Sequence, residues 1–312
     1  MNFKSLPQLL DHFREEKTCI EYYEKIRWGN TPACPHCGAL KPYKTNRGYK
    51  CSDKECHKKF TVKVGTIFEN SKIPFRIWFA SIYLATSHKK GISSVQLAID
   101  LGITQKTAWF VLHRIREMLK DKAPQMLGEK DMVEIDEAYI GGKEGNKHES
   151  KRRSKVNPKL NNDGTTHKPK SMVVGIIERD GKVVLRHIPR AVSNEVEPII
   201  NTHVKHGSEI HTDESKIYHN LNITYTHETV VHSARQYVRG KVHTNSIENF
   251  WSVLKRGLNG IYHQVSDKHL NRYLDEYASR FNTRRLTSQE RFEKFLKDSE
   301  SVLSYKELTR SN

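Results

Sequence analysis

Apolar and polar positions divide the chain into stretches with different periods. Leu6, Leu9, Leu10, Phe13, Ile20, Tyr23 and Ile26 recur at helical spacing with an interruption near Lys17–Thr18, which predicts two short helices over residues 5–28. From Pro32 to about Val64 the helical period disappears, leaving turns, cysteines and short β-prone runs such as GYKC and KKFTVKVG. Residues 74–121 return to helix. PFRIWFASIYLATSHK places proline where a first turn tolerates it, and SSVQLAIDLGITQKTAWFVLHRIREMLK supplies two further amphipathic helices joined at LGIT. Beyond a polar joint near Asp121–Gly128 come the strand-like runs MVEIDEAYIGG, SMVVGIIERDGKVVLRHIP, SEIHTDE and ITYTHETVVH, with a helix at SNEVEPIINTHVKH. Asp-Gly in ERDGKVV predicts a hairpin. The order is β-β-β-α-β-(α)-β, and three helical segments close the chain.

These patterns predict an α/β protein in five segments, with no internal repeat. They are a helical segment at 1–30, a cysteine-bearing module at 31–66, a three-helix region at 72–124, an α/β domain at 129–290 and a C-terminal helix and tail at 291–312. Within the α/β domain, residues 143–170 are nearly all polar or basic and are expected to form a mobile insertion.

Chemistry first becomes legible in the cysteines. Cys34-Pro-His-Cys37 and Cys51-x4-Cys56 form two short-spaced pairs, each able to place two thiolates on one turn, and four thiolates complete the closed tetrahedral shell of structural Zn²⁺. His36 or His57 could replace a cysteine as ligand. A module this short has too little core to fold without a staple. Lys41, Lys44, Arg47, Lys50, Lys54, Lys58 and Lys59 surround the pairs and favour DNA contact, with protein contact or scaffolding as the other roles open to it. Cys19, the fifth cysteine, reads as a buried small hydrophobe.

In ISSVQLAIDLGITQKTAWFVLHRIRE, one helix starts near Ser94 and breaks at Gly102, and Thr104 is placed to cap a second. That is the spacing of a helix-turn-helix, whose second helix presents polar N-terminal residues to base edges. Lys106, His113, Arg114 and Arg116 add positive charge to it.

Net charge strengthens the nucleic-acid reading. Lys and Arg number 53 against 36 Asp and Glu, a formal +17, which points to a polyanionic partner through counterion release. The longest apolar stretches are too short to span a bilayer, and the first 30 residues lack a signal-peptide pattern, so a cytoplasmic, nucleoid-associated protein with no membrane partner is expected.

In a chain short of acid, three carboxylates stand out by position. Asp136 ends the strand-like run of VEIDEAYIGG, Asp213 follows SEIHT at a strand's end, and Glu248 sits in the opening turn of NSIENFWSVLKRG. Carboxylates at strand ends plus one on a helix can converge on a pair of divalent ions, which serve the attacking and leaving oxygens of phosphodiester chemistry. Lys255 lies seven residues beyond Glu248 on the same helical face, flanked by Asn245 and Trp251.

DEAYIGG, HTDES and VHTNSIENFWSVLKRGLNGIYHQVS, with WGNTPACPHCG upstream, resemble the IS1595-family (ISXO2-like) insertion-sequence transposases over nearly the whole chain. The resemblance implies an RNase H-like catalytic domain preceded by zinc ribbon and helix-turn-helix. It also implies a DDE site with Asp136 first, Asp213 second and Glu248 third, holding Mg²⁺ or Mn²⁺, and Lys255 as a DNA contact. Some family members carry Asn at the third position, so Asn245 stands beside Glu248 as a ligand or its support. Glu134, Glu137 and Glu214 are the nearest decoys. Arg256, Arg235, Tyr237 and Arg239 extend the track of groups expected to position phosphates. Double-stranded DNA, as element ends and target, is the expected partner, bound by a homo-oligomer when two ends are paired. The competing functions are a metal-dependent nuclease without strand transfer and a non-catalytic DNA-binding regulator.

Overall fold

A computed structural model describes residues 3–121, 126–141, 171–188, 192–234, 238–263 and 265–310. The chain forms two compact units, Met1–Lys120 with Thr283–Asn312, and Asp121–Asn282. The expected insertion at 143–170 lies outside the described residues.

The first unit opens with α1 (Leu6–His12), whose N-terminus is capped by the Ser5 hydroxyl, and α2 (Glu16–Trp28). The break between them falls at residues 13–15 rather than at Lys17–Thr18. Phe13 is fully buried there, and Glu16 accepts hydrogen bonds from the backbone N–H groups of Phe75 (2.9 Å) and Arg76 (3.4 Å). Three short antiparallel strands follow, β1 (Tyr43–Thr45), β2 (Gly48–Lys50) and β3 (Lys59–Phe60), in that order across the sheet. Gly48 has a φ of +130°, and a Cβ there would lie 2.5 Å from the Phe60 carbonyl oxygen, so the tight β1–β2 turn requires glycine.

Helix α3 (Phe75–Ser87) starts after Pro74 and is buried almost throughout. Helix α4 (Ser94–Leu101) is capped by Ser93 and stopped by Gly102 in the left-handed region. Thr104 then caps α5 (Gln105–Leu119), so the two helices meet across the three-residue turn the sequence signals.

The second unit is built on a five-stranded sheet in the order β6-β5-β4-β7-β8. Its strands are β4 (Val133–Ile140), β5 (Ser171–Glu178), β6 (Val183–Ile188), β7 (Glu209–Asp213) and β8 (Thr226–Val230). The first three pair antiparallel, and β7 and β8 continue the sheet parallel to β4. The β5–β6 hairpin turns at Asp180–Gly181, with Asp180 at a φ of 55°. Strand alternation sends Val133, Ile135, Val174 and Ile176 to one face against α6 (Ser193–His203), and Ala138, Val173 and Ile177 to the other. That second face is covered by α7 (Asn245–Gly257) and α8 (Asp267–Asn282).

The chain then rejoins the first unit. Helix α9 (Ser288–Lys297), opened by a capping box between Thr287 and Glu290, inserts Phe292, Phe295 and Leu296 into a core with Phe3, Phe13 and Phe79. Helix α10 (Tyr305–Thr309) follows. The division therefore falls after Asn282, not after residue 290, because α9 carries its apolar face to the aromatic core of the first unit.

Candidate active site and cysteine cluster

The four cysteines Cys34, Cys37, Cys51 and Cys56 converge at the base of the three-stranded sheet, with all four sulfur atoms within 4.8 Å of one another. Cys34 and Cys56 are separated by 3.9 Å and Cys37 and Cys51 by 3.4 Å. A tetrahedral Zn–S distance of about 2.3 Å corresponds to sulfur–sulfur edges of about 3.8 Å, so the donor set fits zinc. Burial opposes ionisation of Cys34, but backbone N–H groups of His36 and Cys37 outweigh it and bring the thiol down to about 7. Neither His36 nor His57 joins the cluster; His36 instead meets the Phe60 ring edge-on at 6.4 Å. Tyr49 and Phe60 stack at 5.7 Å and Trp28 closes over them, a core too small to hold the module by burial alone.

In the second unit, strand pairing assembles the carboxylates. Val133 lies opposite Ile210 and Glu134 opposite His211 in the parallel β4–β7 pair. Asp136 is the fourth residue of β4 and not its end, because the strand runs on to Ile140 in its pairing with β5. Continuing the β4–β7 register two residues beyond its last pair would set Asp136 level with Asp213, the last residue of β7. Burial first, then the negative charges of Glu137 and Asp213, push the Asp136 carboxyl up to about 7. Asp213 accepts the Ser215 N–H at 3.0 Å, which turns the chain at the end of the strand. Glu137 lies on the opposite face of β4 from Asp136, where the fully buried Tyr218 donates its hydroxyl to it at 2.7 Å.

Helix α7 carries the third acid. Trp251 donates its indole N–H to the Asp136 carboxylate at 2.9 Å, and Glu248 stands one turn earlier on the same helix. Space for the indole comes from β5: Gly175 pairs with Asp136, and a Cβ on it would lie 2.6 Å from the Trp251 ring and 2.8 Å from Ile247. Glu248 is half exposed. Its Oε1 accepts the Thr244 hydroxyl at 3.0 Å and lies 3.6 Å from His232 Nε2. Consequently Asp136, Asp213 and Glu248 do not draw together into a single compact shell as the cysteines do. Asn245 is exposed at the first position of the same helix.

The residues the sequence marked as decoys have separate duties. Glu214 accepts the N–H groups of His232 (2.5 Å) and Ser233 (2.9 Å), which holds its carboxyl below the usual range. Glu134 is fully buried and bonded to the first turn of α7. Its alternation with Asp136 along β4 was a usable signal, since residues two apart in a strand share a face. The role of Gly175 left no such mark.

The basic residues separate into two groups. Lys255 and Arg256 are exposed in the last turn of α7, and Lys106 is exposed in the first turn of α5, its ammonium 5.1 Å from the Tyr305 ring. Arg239 is exposed and paired with Glu228. Arg235 and Tyr237 lie outside the described residues. Arg114 departs from the expectation of a DNA contact. It is 5% exposed, and its guanidinium donates to the carbonyls of Leu303 (2.9 Å), Ile67 (2.8 Å) and Glu69 (2.8 Å), so it is consumed inside the first unit. His113 and Arg116 are likewise buried.

A four-cysteine module and a mixed sheet that carries Asp136 within β4 and Asp213 at the end of β7 accompany a match to the transposase class. Residues 126–282 match the ISXO2-like transposase domain, and residues 14–59 match the transposase zinc-ribbon domain. The chain belongs to the ISXO2-like (IS1595) transposase family. It is 28% identical, over 86% of its length and 91% of the relative's, to an uncharacterised protein in the transposable element ISH50 of Halobacterium salinarum. A transposase-like protein of Haemophilus influenzae is 31% identical over 35% of this chain and 87% of its own. The crystal structure of the Mos1 strand transfer complex aligns over 75% of this chain and 81% of that one at 12% identity, with a TM-score of 0.25, below what a shared fold requires. Among the described residues, no helix is long and apolar enough to cross a membrane.

Proposed function

We propose that the chain is the transposase of an insertion sequence, binding the element's DNA ends and cutting and joining DNA at a DDE site on an RNase H-like domain. The observation that carries this reading is the parallel pairing of β4 with β7, whose register, continued two residues beyond its last pair, brings Asp136 toward Asp213, a residue whose charge acts on it. Helix α7, bearing Glu248, is bonded to Asp136 through Trp251. The five-stranded sheet with two antiparallel and two parallel pairings supports the RNase H-like assignment.

The carboxylates suit a hard divalent cation. Burial first, and then the negative charges of Glu137 and Asp213, raise Asp136, a penalty that a cation beside it would relieve. Phosphodiester chemistry of this kind uses two such ions about 3.5–4 Å apart. Bound Mg²⁺ or Mn²⁺ would supply activation of the attacking oxygen and stabilisation of the leaving one. Asp136 and Asp213 hold the centre of the site, Glu248 turns in from Thr244 and His232, and Asn245 supports that edge. Lys255 and Arg256 hold phosphates without taking part in chemistry. In the first unit Cys34, Cys37, Cys51 and Cys56 bind one structural Zn²⁺. The α4–α5 pair works as a helix-turn-helix, with Lys106 presented to DNA. Arg239, Arg235 and the 143–170 segment extend the phosphate track. A homo-oligomer on paired ends in the cytoplasm, associated with the nucleoid, completes the reading.

The test uses the full chain, Mg²⁺ or Mn²⁺, and duplexes carrying the terminal inverted repeats that flank its own gene. Strand-transfer products with the wild type, and their loss in Asp136→Asn, Asp213→Asn and Glu248→Gln with DNA binding retained, are expected. Cleavage without joining would leave a nuclease, and an active Asp213→Asn variant would overturn the site.

A further inference from the structure

Helix α7 has no N-terminal side-chain cap of its own: Thr244, at the capping position, turns its hydroxyl to Glu248 instead. The cap comes from the sheet. Glu134 on β4 accepts the N–H of Ser246 at 2.8 Å and of Ile247 at 3.1 Å, together with the Ser246 hydroxyl at 2.9 Å. A carboxylate at a helix N-terminus satisfies otherwise unpaired donors and complements the helix dipole. Here it does so from a strand 112 residues away in sequence, with no solvent exposure.

The charge itself is held in turn. Arg179, at the β5–β6 hairpin, donates its Nε (3.1 Å) and Nη2 (2.9 Å) to Glu134 Oε1, and His243 Nδ1 lies 3.3 Å from the same oxygen. Arg179 also donates to the carbonyl of Lys241 at 3.2 Å, tying down the segment that leads into α7. A buried carboxylate so fully partnered resists displacement, since freeing any partner strands a charge or donor in the interior.

Two contacts thus join α7 to β4, and they bracket the third acid. Glu134 grips residues 246 and 247, Asp136 accepts from Trp251, and Glu248 lies between. Both anchors stand on the same strand, two residues apart and on the same face. We propose that Glu134 is a positioning residue, which sets the distance between Glu248 and Asp136 and thereby the affinity of the site for divalent cations. The inference rests on the DDE reading of Asp136, Asp213 and Glu248.

Mn²⁺ binding to the zinc-loaded full chain, followed by electron paramagnetic resonance at a temperature where every variant is folded by circular dichroism, tests it. Asp213→Asn should abolish binding; if it binds as the wild type does, the DDE reading fails. With that control lost as expected, Glu134→Gln should bind Mn²⁺ at least tenfold more weakly. Ser246→Ala, which removes one donor and no charge, should weaken binding about threefold and serves where Glu134→Gln does not fold. A structural role alone would lower the melting temperature without moving Mn²⁺ affinity. Affinity within twofold of wild type in folded Glu134→Gln, or unchanged in Ser246→Ala where that variant serves, overturns the inference.

Discussion

Trp251 on α7 donates its indole N–H to Asp136 on β4 across the space that Gly175 leaves open on β5. Three elements meet at one hydrogen bond, so the candidate first acid is oriented by the helix that carries the third. The close approach also fixes which side chain β5 can bear there.

Gly175→Ala is therefore expected to act on the site through Trp251. The added methyl would lie 2.6 Å from the indole and 2.8 Å from Ile247, contacts that require both groups to move. Overpacking of this kind costs about 1–3 kcal/mol. A lower melting temperature together with altered tryptophan fluorescence is expected. Gly175→Ala with wild-type stability and emission would show that α7 yields freely.

Asp136 carries a pH-dependent cost in the protein free of Mg²⁺ and Mn²⁺. Its folded-state carboxyl is raised from 3.8 to about 7, chiefly by burial, so the wild type loses stability as pH rises from about 4 to about 7. Well above that the loss is complete and on the order of 4 kcal/mol. Asp136→Asn escapes it while keeping an acceptor for Trp251. Melting temperatures of the two zinc-loaded proteins, free of Mg²⁺ and Mn²⁺, should coincide near pH 4 and diverge with rising pH, the variant becoming more stable and reaching a plateau above pH 7. Parallel curves across that range would contradict the burial of this charge.

Much of this arrangement was legible locally. Gly102 and Thr104 bound α4 and α5 where their chemistry places them, and Asp180–Gly181 forms its hairpin. Such signals act over a few residues. The partners of Gly175 and α9 are distant in sequence and leave no local mark, which is why α9 straddled the expected boundary, whereas Glu134 shares a strand face with Asp136, a signal that reading it as a decoy passed over. The period of α5 could not show that its C-terminal half is enclosed on all sides, so Arg114 looked like a surface cation.

Removal of zinc should unfold the cysteine module. Its apolar cluster consists mainly of Tyr49 and Phe60 with Trp28 at its edge, and metal binding supplies the folding free energy of such small modules. One zinc per chain is expected by elemental analysis. A strong chelator should make Cys34, Cys37, Cys51 and Cys56 reactive toward a thiol reagent, with Cys19 still shielded by burial, which pushes its thiol up to about 12. Four unreactive cysteines after metal removal would show that the module stands without a staple.

Arg114 and Lys106 lie on one helix and should separate stability from DNA binding. Arg114→Met leaves the carbonyls of Leu303, Ile67 and Glu69 without their donor inside the first unit. Each unsatisfied group costs roughly 1–3 kcal/mol, so a loss of at least 3 kcal/mol is expected, partly offset by relief of the buried charge. Lys106 is exposed, and Lys106→Ala should change stability by less than about 0.5 kcal/mol. If it contacts a phosphate, its removal should also reduce the dependence of DNA affinity on salt by about one ion. Thermal melts paired with salt titrations of binding distinguish the two residues. A stable Arg114→Met protein with weakened DNA binding would return Arg114 to the DNA surface, against its burial.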